Sequence, residues 1–192
     1  MLLVGLVLAS SPSTSAAQAQ AQAPAPAPAK GETFVATASV KTEKGEVTAP
    51  VTVVITRMTN EKERMTVTEA LKKGATAGAV AALKALPDAG YIEVAGRKTT
   101  LKYAYSRPLG GGRLFTVAAP TPIVYLGANV PNAPSKAGFD VSLAFLEVKD
   151  AGDGAGELVP AATVKINETG GLQTQDYAGS MIVRLNKIAV KK

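Results

Sequence analysis

The chain has 192 residues and a formal net charge of +6, and it contains no His, Cys or Trp. Without imidazole and thiol groups, Ser-His-Asp and Cys-His catalytic arrangements cannot form, and zinc, copper and haem lose their usual ligands. Disulfides are impossible as well, so burial of Val, Ile, Leu and Ala has to stabilise the fold. The composition therefore excludes most hydrolase and transition-metal chemistry.

The N-terminal segment has the pattern of an export signal. Leu2 to Ala9 form a short apolar run, well below the ~20 residues that span a bilayer, and Ala17-Gln18-Ala19 offers a small-residue cleavage site. We expect residues 1–19 to be a signal peptide and residues 20–30 an Ala/Gln/Pro-rich disordered linker. Residues 31–192 then form a single β-rich domain, secreted or periplasmic and not membrane-spanning after signal cleavage.

Alternation of apolar and polar residues predicts the fold of this domain. Phe34 to Val40 and Val51 to Ile55 each place their apolar side chains on one face of a strand. Similar segments recur to the end of the chain. We therefore expect an α+β fold, mainly an antiparallel β meander of about seven to nine strands, either barrel-like or a sandwich.

The period changes once, after the second predicted strand. Thr66 and Glu69 form a capping-box pattern, Gly74 suits a helix C-terminus, and Thr76 can cap a second helix that Pro87 ends. We expect one short helical pair inserted after the second strand. It either packs against the sheet or acts as a movable lid over a cavity.

Beyond the helical pair, a long predicted strand from Thr99 to Tyr105 places Leu101, Tyr103 and Tyr105 on one face. The other predicted strand segments are Tyr91 to Val94, Arg113 to Val117, Phe139 to Val148, Leu158 to Ile166, Leu172 to Tyr177 and Met181 to Val190. A further apolar segment, Pro122 to Leu126, leads into a long polar loop from Gly127 to Gly138. The acidic, glycine-rich segment from Asp150 to Glu157 reads as a hairpin turn. The alternative is a weakly bound calcium ion at Asp150, Asp153 and Glu157, although the spacing of these residues does not match an EF-hand.

Several stretches give the chain a resemblance to known sequences. They are TEALKKG with ALKALPDAGYIEV, LKYAYSRPLGGGRLFTVAAPTPI, and the ending from GELVPAATVKI to QDYAGSMIVRLNKI. In these the chain resembles a group of small secreted bacterial proteins of unknown function, over Val51 to Ile188. The group tends to carry an aromatic and an acidic residue after the Pro-Ile element, where this chain has Val124 to Gly127. The resemblance implies secretion but no activity.

Two non-enzymatic functions fit these observations. One is a binding module for a small apolar ligand held inside the sheet, with Leu101, Tyr103 and Tyr105 as the candidate ligand-binding residues. The other is a cell-envelope interaction or structural protein whose basic surface binds an anionic envelope polymer. We expect no catalytic residues, cofactor, metal or nucleic-acid partner. A hollow sheet would favour the binding module, and a filled one would favour the interaction protein.

Overall fold

The computed structural model describes residues 31–128, 130, 132–133, 136–168, 170–179 and 183–191. The predicted signal peptide and linker therefore lie outside the described residues. The elements are β1 (Glu32–Thr42), β2 (Gly45–Ile55), α1 (Glu61–Ala85), β3 (Gly90–Val94), β4 (Arg97–Leu101), β5 (Tyr103–Leu109), β6 (Gly112–Ala119), β7 (Val141–Lys149), β8 (Gly154–Ile166), β9 (Leu172–Tyr177) and β10 (Val183–Val190). The domain is thus rich in β structure, with a single helical element among the described residues.

All the strands belong to one antiparallel sheet with the order β4-β3-β2-β1-β10-β8-β7-β6-β5, and β9 pairs with β8. The described residues hold ten strands, so the predicted count of seven to nine is wrong. One reason is that the predicted strand from Thr99 to Tyr105 is interrupted at Lys102, which separates β4 from β5. The apolar segment from Pro122 to Leu126 has no regular secondary structure.

The sheet is curled into a half-barrel. Phe34 lies on β1 and Phe115 on β6, four positions apart in the sheet, yet their ring centroids are 4.8 Å apart. A flat sheet would separate these strands by about 19 Å, since neighbouring strands are ~4.8 Å apart. The strands β4 and β5 are the two ends of the sheet order, yet a single residue, Lys102, joins them along the chain. The Lys102 amide donates to the Ala118 carbonyl of β6 at 3.0 Å.

The concave face is filled by side chains. Every strand except β9 contributes buried apolar residues to one cluster on this face, with Phe34, Val53, Ile92, Phe115 and Leu146 among its members. The convex face carries a second cluster, in which Val67, Leu71 and Leu83 of α1 pack against the sheet. The interior of the half-barrel is therefore a packed core.

The helix begins earlier than the sequence pattern predicts. Asn60 is the N-cap: its side chain accepts from the Glu63 amide, and the Glu63 carboxylate accepts from the Asn60 amide, both at 2.9 Å. The predicted cap, Thr66, instead lies inside the helix and donates to the Lys62 carbonyl. The first turn is charged rather than apolar, so the hydrophobic pattern could not reveal it.

α1 consists of two helical halves that meet at a sharp kink, at the position where the sequence pattern divides the predicted helical pair. Gly74 and Ala75 have non-helical backbone angles and divide α1 into two halves. The halves approach so closely that a Cβ on Gly78 would clash with the Ala70 carbonyl. Only Gly74 and Ala75 depart from helical angles, so Thr76 lies inside the second half and is not its N-cap. Its hydroxyl accepts from the Val164 amide of β8 at 3.1 Å. Within the part of the chain described, no helix has the length and apolarity to cross a membrane.

Candidate functional site

The three residues predicted to bind a ligand do not share a face. Leu101 packs in the concave core, whereas Tyr103 and Tyr105 belong to the cluster on the convex face. The interruption at Lys102 is the cause, because it ends one strand and begins another at the opposite end of the sheet order. Tyr103 is only 1% exposed, so a ligand could not reach it. Tyr105 is the one member of the predicted set that lines an open site.

That site is a groove of about 660 Å³ on the convex face, which we call the outer groove. Its floor is formed by Tyr105, Leu114, Thr116 and Phe145 of β5, β6 and β7. Its wall is the end of the β8–β9 hairpin, with Ile166, Leu172, Gln173 and Thr174. The volume lies within the ~300–1,000 Å³ typical of small-molecule sites.

Strand register explains how the floor is assembled. Tyr105 pairs with Thr116, Thr116 with Phe145, and Phe145 with Glu157, so these four residues form one row across β5 to β8. Arg107 pairs with Leu114 in the next row. Since side chains alternate between the two faces of a sheet, both rows point to the convex side.

The wall exists because β8 bends. Glu157 and Lys165 both line the outer groove, although eight residues of straight strand span about 26 Å. The pairing of β7 with β8 is irregular between Val141 and Leu143, opposite Val159 and Ala162, which is where a bulge allows such a bend. The bend brings the tip of the β8–β9 hairpin over the floor.

The hairpin tip is a tight, hydrogen-bonded turn. The Asn167 amide donates to the Gly171 carbonyl at 2.9 Å, and the Asn167 side chain accepts from the Gly171 amide at 2.8 Å. Gly170 lies between them with φ of 75°, a left-handed conformation that glycine adopts without strain. The turn therefore presents a defined wall to the groove.

Arg64 joins the helix, the hairpin and the floor. Its guanidinium lies 3.9 Å from the centroid of the Tyr105 ring, and its Nη2 donates to the Gly170 carbonyl at 3.2 Å. Glu61 neutralises it through a 2.7 Å ion pair. This cation–π contact fixes the orientation of the Tyr105 ring on the groove floor.

Tyr103 lies beneath this arrangement. Burial raises the pKa of the Tyr103 hydroxyl, although the charge of Arg64 and hydrogen bonds from Arg64 and the Leu172 backbone act in the opposite direction. Tyr103 consequently stays neutral, and its hydroxyl is a hydrogen-bond partner of Arg64. Its role is to hold the floor together, since a ligand cannot contact it.

Four charged side chains also line the groove. They are Arg107, Glu157, Lys165 and Glu168. None of the ion pairs formed between described residues includes any of the four. The groove thus combines an apolar and aromatic floor with charges of both signs that remain available to a ligand.

Sequence reasoning missed most of this site. Phe145 was available as a signal, because the predicted strand from Phe139 to Val148 is apolar on both faces and must be covered on both. The turn after Ile166 gives no signal in the sequence, because no local pattern shows that β8 folds back over β6 and β7. The long predicted loop from Gly127 to Gly138 contributes nothing to the groove in the part of it that the structure describes.

A smaller depression of about 520 Å³ lies beside β4. There the Arg97 guanidinium is 4.0 Å from the Tyr125 ring centroid, and Lys98 and Val124 lie alongside. Arg97 takes part in none of the ion pairs between described residues. This is a small basic and aromatic surface on an edge strand.

Among the described residues, no three Asp or Glu side chains come close enough together to hold a metal ion. Asp150 and Asp153 lie at the β7–β8 turn, whereas Glu157 lies further along β8 and lines the outer groove. Comparison of the chain with protein families, with curated proteins and with solved structures gave no match.

Proposed function

We propose that this chain is a secreted, non-enzymatic binding protein whose ligand binds in the outer groove. The observation that carries the proposal is an open groove of about 660 Å³ with an apolar floor and four charged side chains that pair with no other described residue. The packed core argues against a ligand inside the sheet. The small apolar ligand expected from sequence is accordingly replaced by an amphipathic one that lies on the convex face.

The non-enzymatic part of the proposal is supported by the chemistry of the lining. The groove offers amide, hydroxyl, carboxylate, ammonium and guanidinium groups, but the chain supplies no imidazole or thiol for proton transfer or nucleophilic attack. Secretion is supported by the predicted signal peptide over residues 1–19. Both features are consistent with a protein that captures a ligand outside the cytoplasm.

The proposal can be tested with an amphipathic fluorescent probe, 1-anilinonaphthalene-8-sulfonate. Leu114 is a half-buried side chain on the convex face and lines the groove. Leu114→Ser should weaken probe binding roughly tenfold, because a contact of about 1.4 kcal/mol is lost. The matched control is Val54→Ser, since Val54 is also half-buried on the convex face but lies outside the groove. Equal effects of the two substitutions, or no saturable binding, would contradict the proposal.

A second candidate is association with an anionic envelope polymer through the β4 edge. It is favoured by Arg97, whose charge no described carboxylate neutralises, and by the neighbouring Lys98 and Tyr125. Binding to dextran sulfate should then weaken with salt and in the Arg97→Gln variant. Lys44→Gln, in the exposed β1–β2 turn, is the control. Equal losses in both variants would reduce this candidate to nonspecific attraction by net charge.

A further inference from the structure

The outer groove carries opposite charges at opposite ends of its floor. Arg107 lies on β5, and Glu157 lies on β8, three strands away. With neighbouring strands ~4.8 Å apart, the two backbones are separated by about 14 Å. Glu147 and Lys149 of β7 lie on the same face outside the groove lining and contribute one charge of each sign. Among the lining residues, the floor is therefore positive at β5 and negative at β8.

Charges on the other elements around the groove modify this polarity. On the hairpin wall, Lys165 and Glu168 contribute one charge of each sign. On α1, Arg64 adds positive charge at the β5 end, over Tyr105, and is paired with Glu61. On β10, Arg184 is the register partner of Glu157 and lies on the same face, but it is not part of the groove lining. Arg107 and Glu157 are therefore the charges at the ends of the floor that a bound ligand would contact.

Between the charged ends lie apolar surface and neutral hydrogen-bonding groups. Leu114 and Phe145 provide the apolar floor, and Thr116, Gln173 and Thr174 provide hydroxyl and amide groups. The Thr174 hydroxyl oxygen is buried and makes no hydrogen bond to any described residue. Hydroxyl and amide side chains can both donate and accept, which matches the alternating N–H and C=O groups of a peptide backbone.

We propose that the outer groove binds an extended oligopeptide of about four residues with an acidic side chain at one end, apolar side chains in the middle and a basic side chain at the other. An extended chain covers ~3.3–3.6 Å per residue, so four residues span the distance between Arg107 and Glu157. The acidic end lies against Arg107 and the basic end against Glu157. This inference rests on the proposed function, because it names the ligand class for the same groove.

The test uses four tetrapeptides with blocked ends, titrated calorimetrically at low ionic strength. They are Asp-Leu-Leu-Lys, Asp-Leu-Leu-Asp, Lys-Leu-Leu-Lys and Ser-Leu-Leu-Ser. The natural protein should bind the dipolar peptide about fivefold more tightly than either like-charged peptide, and the preference should shrink as salt is added. Equal affinity for all four peptides would overturn the inference.

Charge reversal turns the test into an exchange of specificity. Arg107→Glu makes both ends of the floor acidic and should make Lys-Leu-Leu-Lys the best ligand. Glu157→Lys makes both ends basic and should favour Asp-Leu-Leu-Asp. A misfolded variant cannot gain affinity for a new peptide, so the outcome is independent of modest losses of stability. Lys44→Glu is the matched control, because Lys44 is an exposed residue of the β1–β2 turn outside the groove.

The results separate the two proposals. If the anilinonaphthalene probe binds and Leu114→Ser weakens it, but no peptide binds, the groove is a binding site and the peptide inference is wrong. If neither probe nor peptide binds, both fail. If peptides bind but the reversals leave their order unchanged, the charges at Arg107 and Glu157 do not select the ligand, and the inference is wrong as stated.

Discussion

Arg113 of β6 and Glu32 of β1 form a two-pronged ion pair across the mouth of the half-barrel. Arg113 Nη1 is 2.8 Å from Glu32 Oε1, and Nη2 is 2.9 Å from Oε2. Each residue is two positions along its strand from a core phenylalanine, Phe34 or Phe115, and therefore shares its face. The pair thus links opposite walls of the curled sheet at the edge of the core.

We expect Arg113→Lys to reduce the free energy of unfolding by about 1 kcal/mol, because an ammonium group keeps the charge but cannot reproduce the parallel geometry. Urea denaturation measures the change. The exposed pair of Glu69 and Lys72 is the comparison, and Glu69→Gln should cost no more than about 0.5 kcal/mol. Equal losses would mean that the two-pronged geometry contributes nothing.

Ala75→Gly should stabilise the protein by about 0.5–1 kcal/mol. Ala75 has φ of 49° and ψ of −147°, a conformation that is strained for any residue with a Cβ and readily adopted by glycine. The same substitution at Ala77, an exposed and helical position two residues later, should instead destabilise by about 1 kcal/mol. The thermal midpoints of the two variants should therefore move in opposite directions.

The helix cap should make stability depend on pH through Glu63. Partial burial raises the pKa of the Glu63 carboxyl, but hydrogen bonds from Arg57 and the Asn60 amide and the charge of Arg57 outweigh burial, so the pKa is lowered overall. A lowered pKa stabilises the fold at a pH above the value of an unfolded glutamate, about 4.3, and this stabilisation is lost as the pH falls through the folded value.

Glu63→Gln removes the charge while a glutamine can still cap the helix. The natural protein should be the more stable of the two by about 0.5–1 kcal/mol at neutral pH, and the difference should disappear in acid. Urea denaturation at pH 7 and pH 3 gives the two values. A difference that is the same at both would show that the Glu63 charge does not act through its pKa.

The two neighbouring tyrosines should respond differently to substitution. Tyr103→Phe should lower the free energy of unfolding by about 1 kcal/mol, because Arg64 loses a buried partner, and should leave probe affinity in the groove unchanged. Tyr105→Leu removes the ring under Arg64 from the groove floor and should weaken probe binding several-fold. Weaker binding in Tyr103→Phe at unchanged stability would contradict this assignment.

How far the sequence predicts this structure depends on how local each feature is. Alternation in Phe34 to Val40 identifies a strand correctly, because burying one face of a strand requires that pattern. The break at Lys102 leaves no such trace, since Leu101, Tyr103 and Tyr105 continue the alternation while the chain passes from one end of the sheet to the other. The outer groove is harder still to predict from the sequence, because it depends on contacts between Arg64, Tyr105 and Gly170, which are distant in sequence.

The position of β10 sets the order in which the sheet can be completed. This strand, near the end of the chain, pairs with β1 on one side and β8 on the other. A chain that emerges from its N-terminus therefore keeps the edges of β1 and β8 unpaired until residues 183–190 arrive. Until then, both strand edges are open to pairing with other chains and to recognition by chaperones.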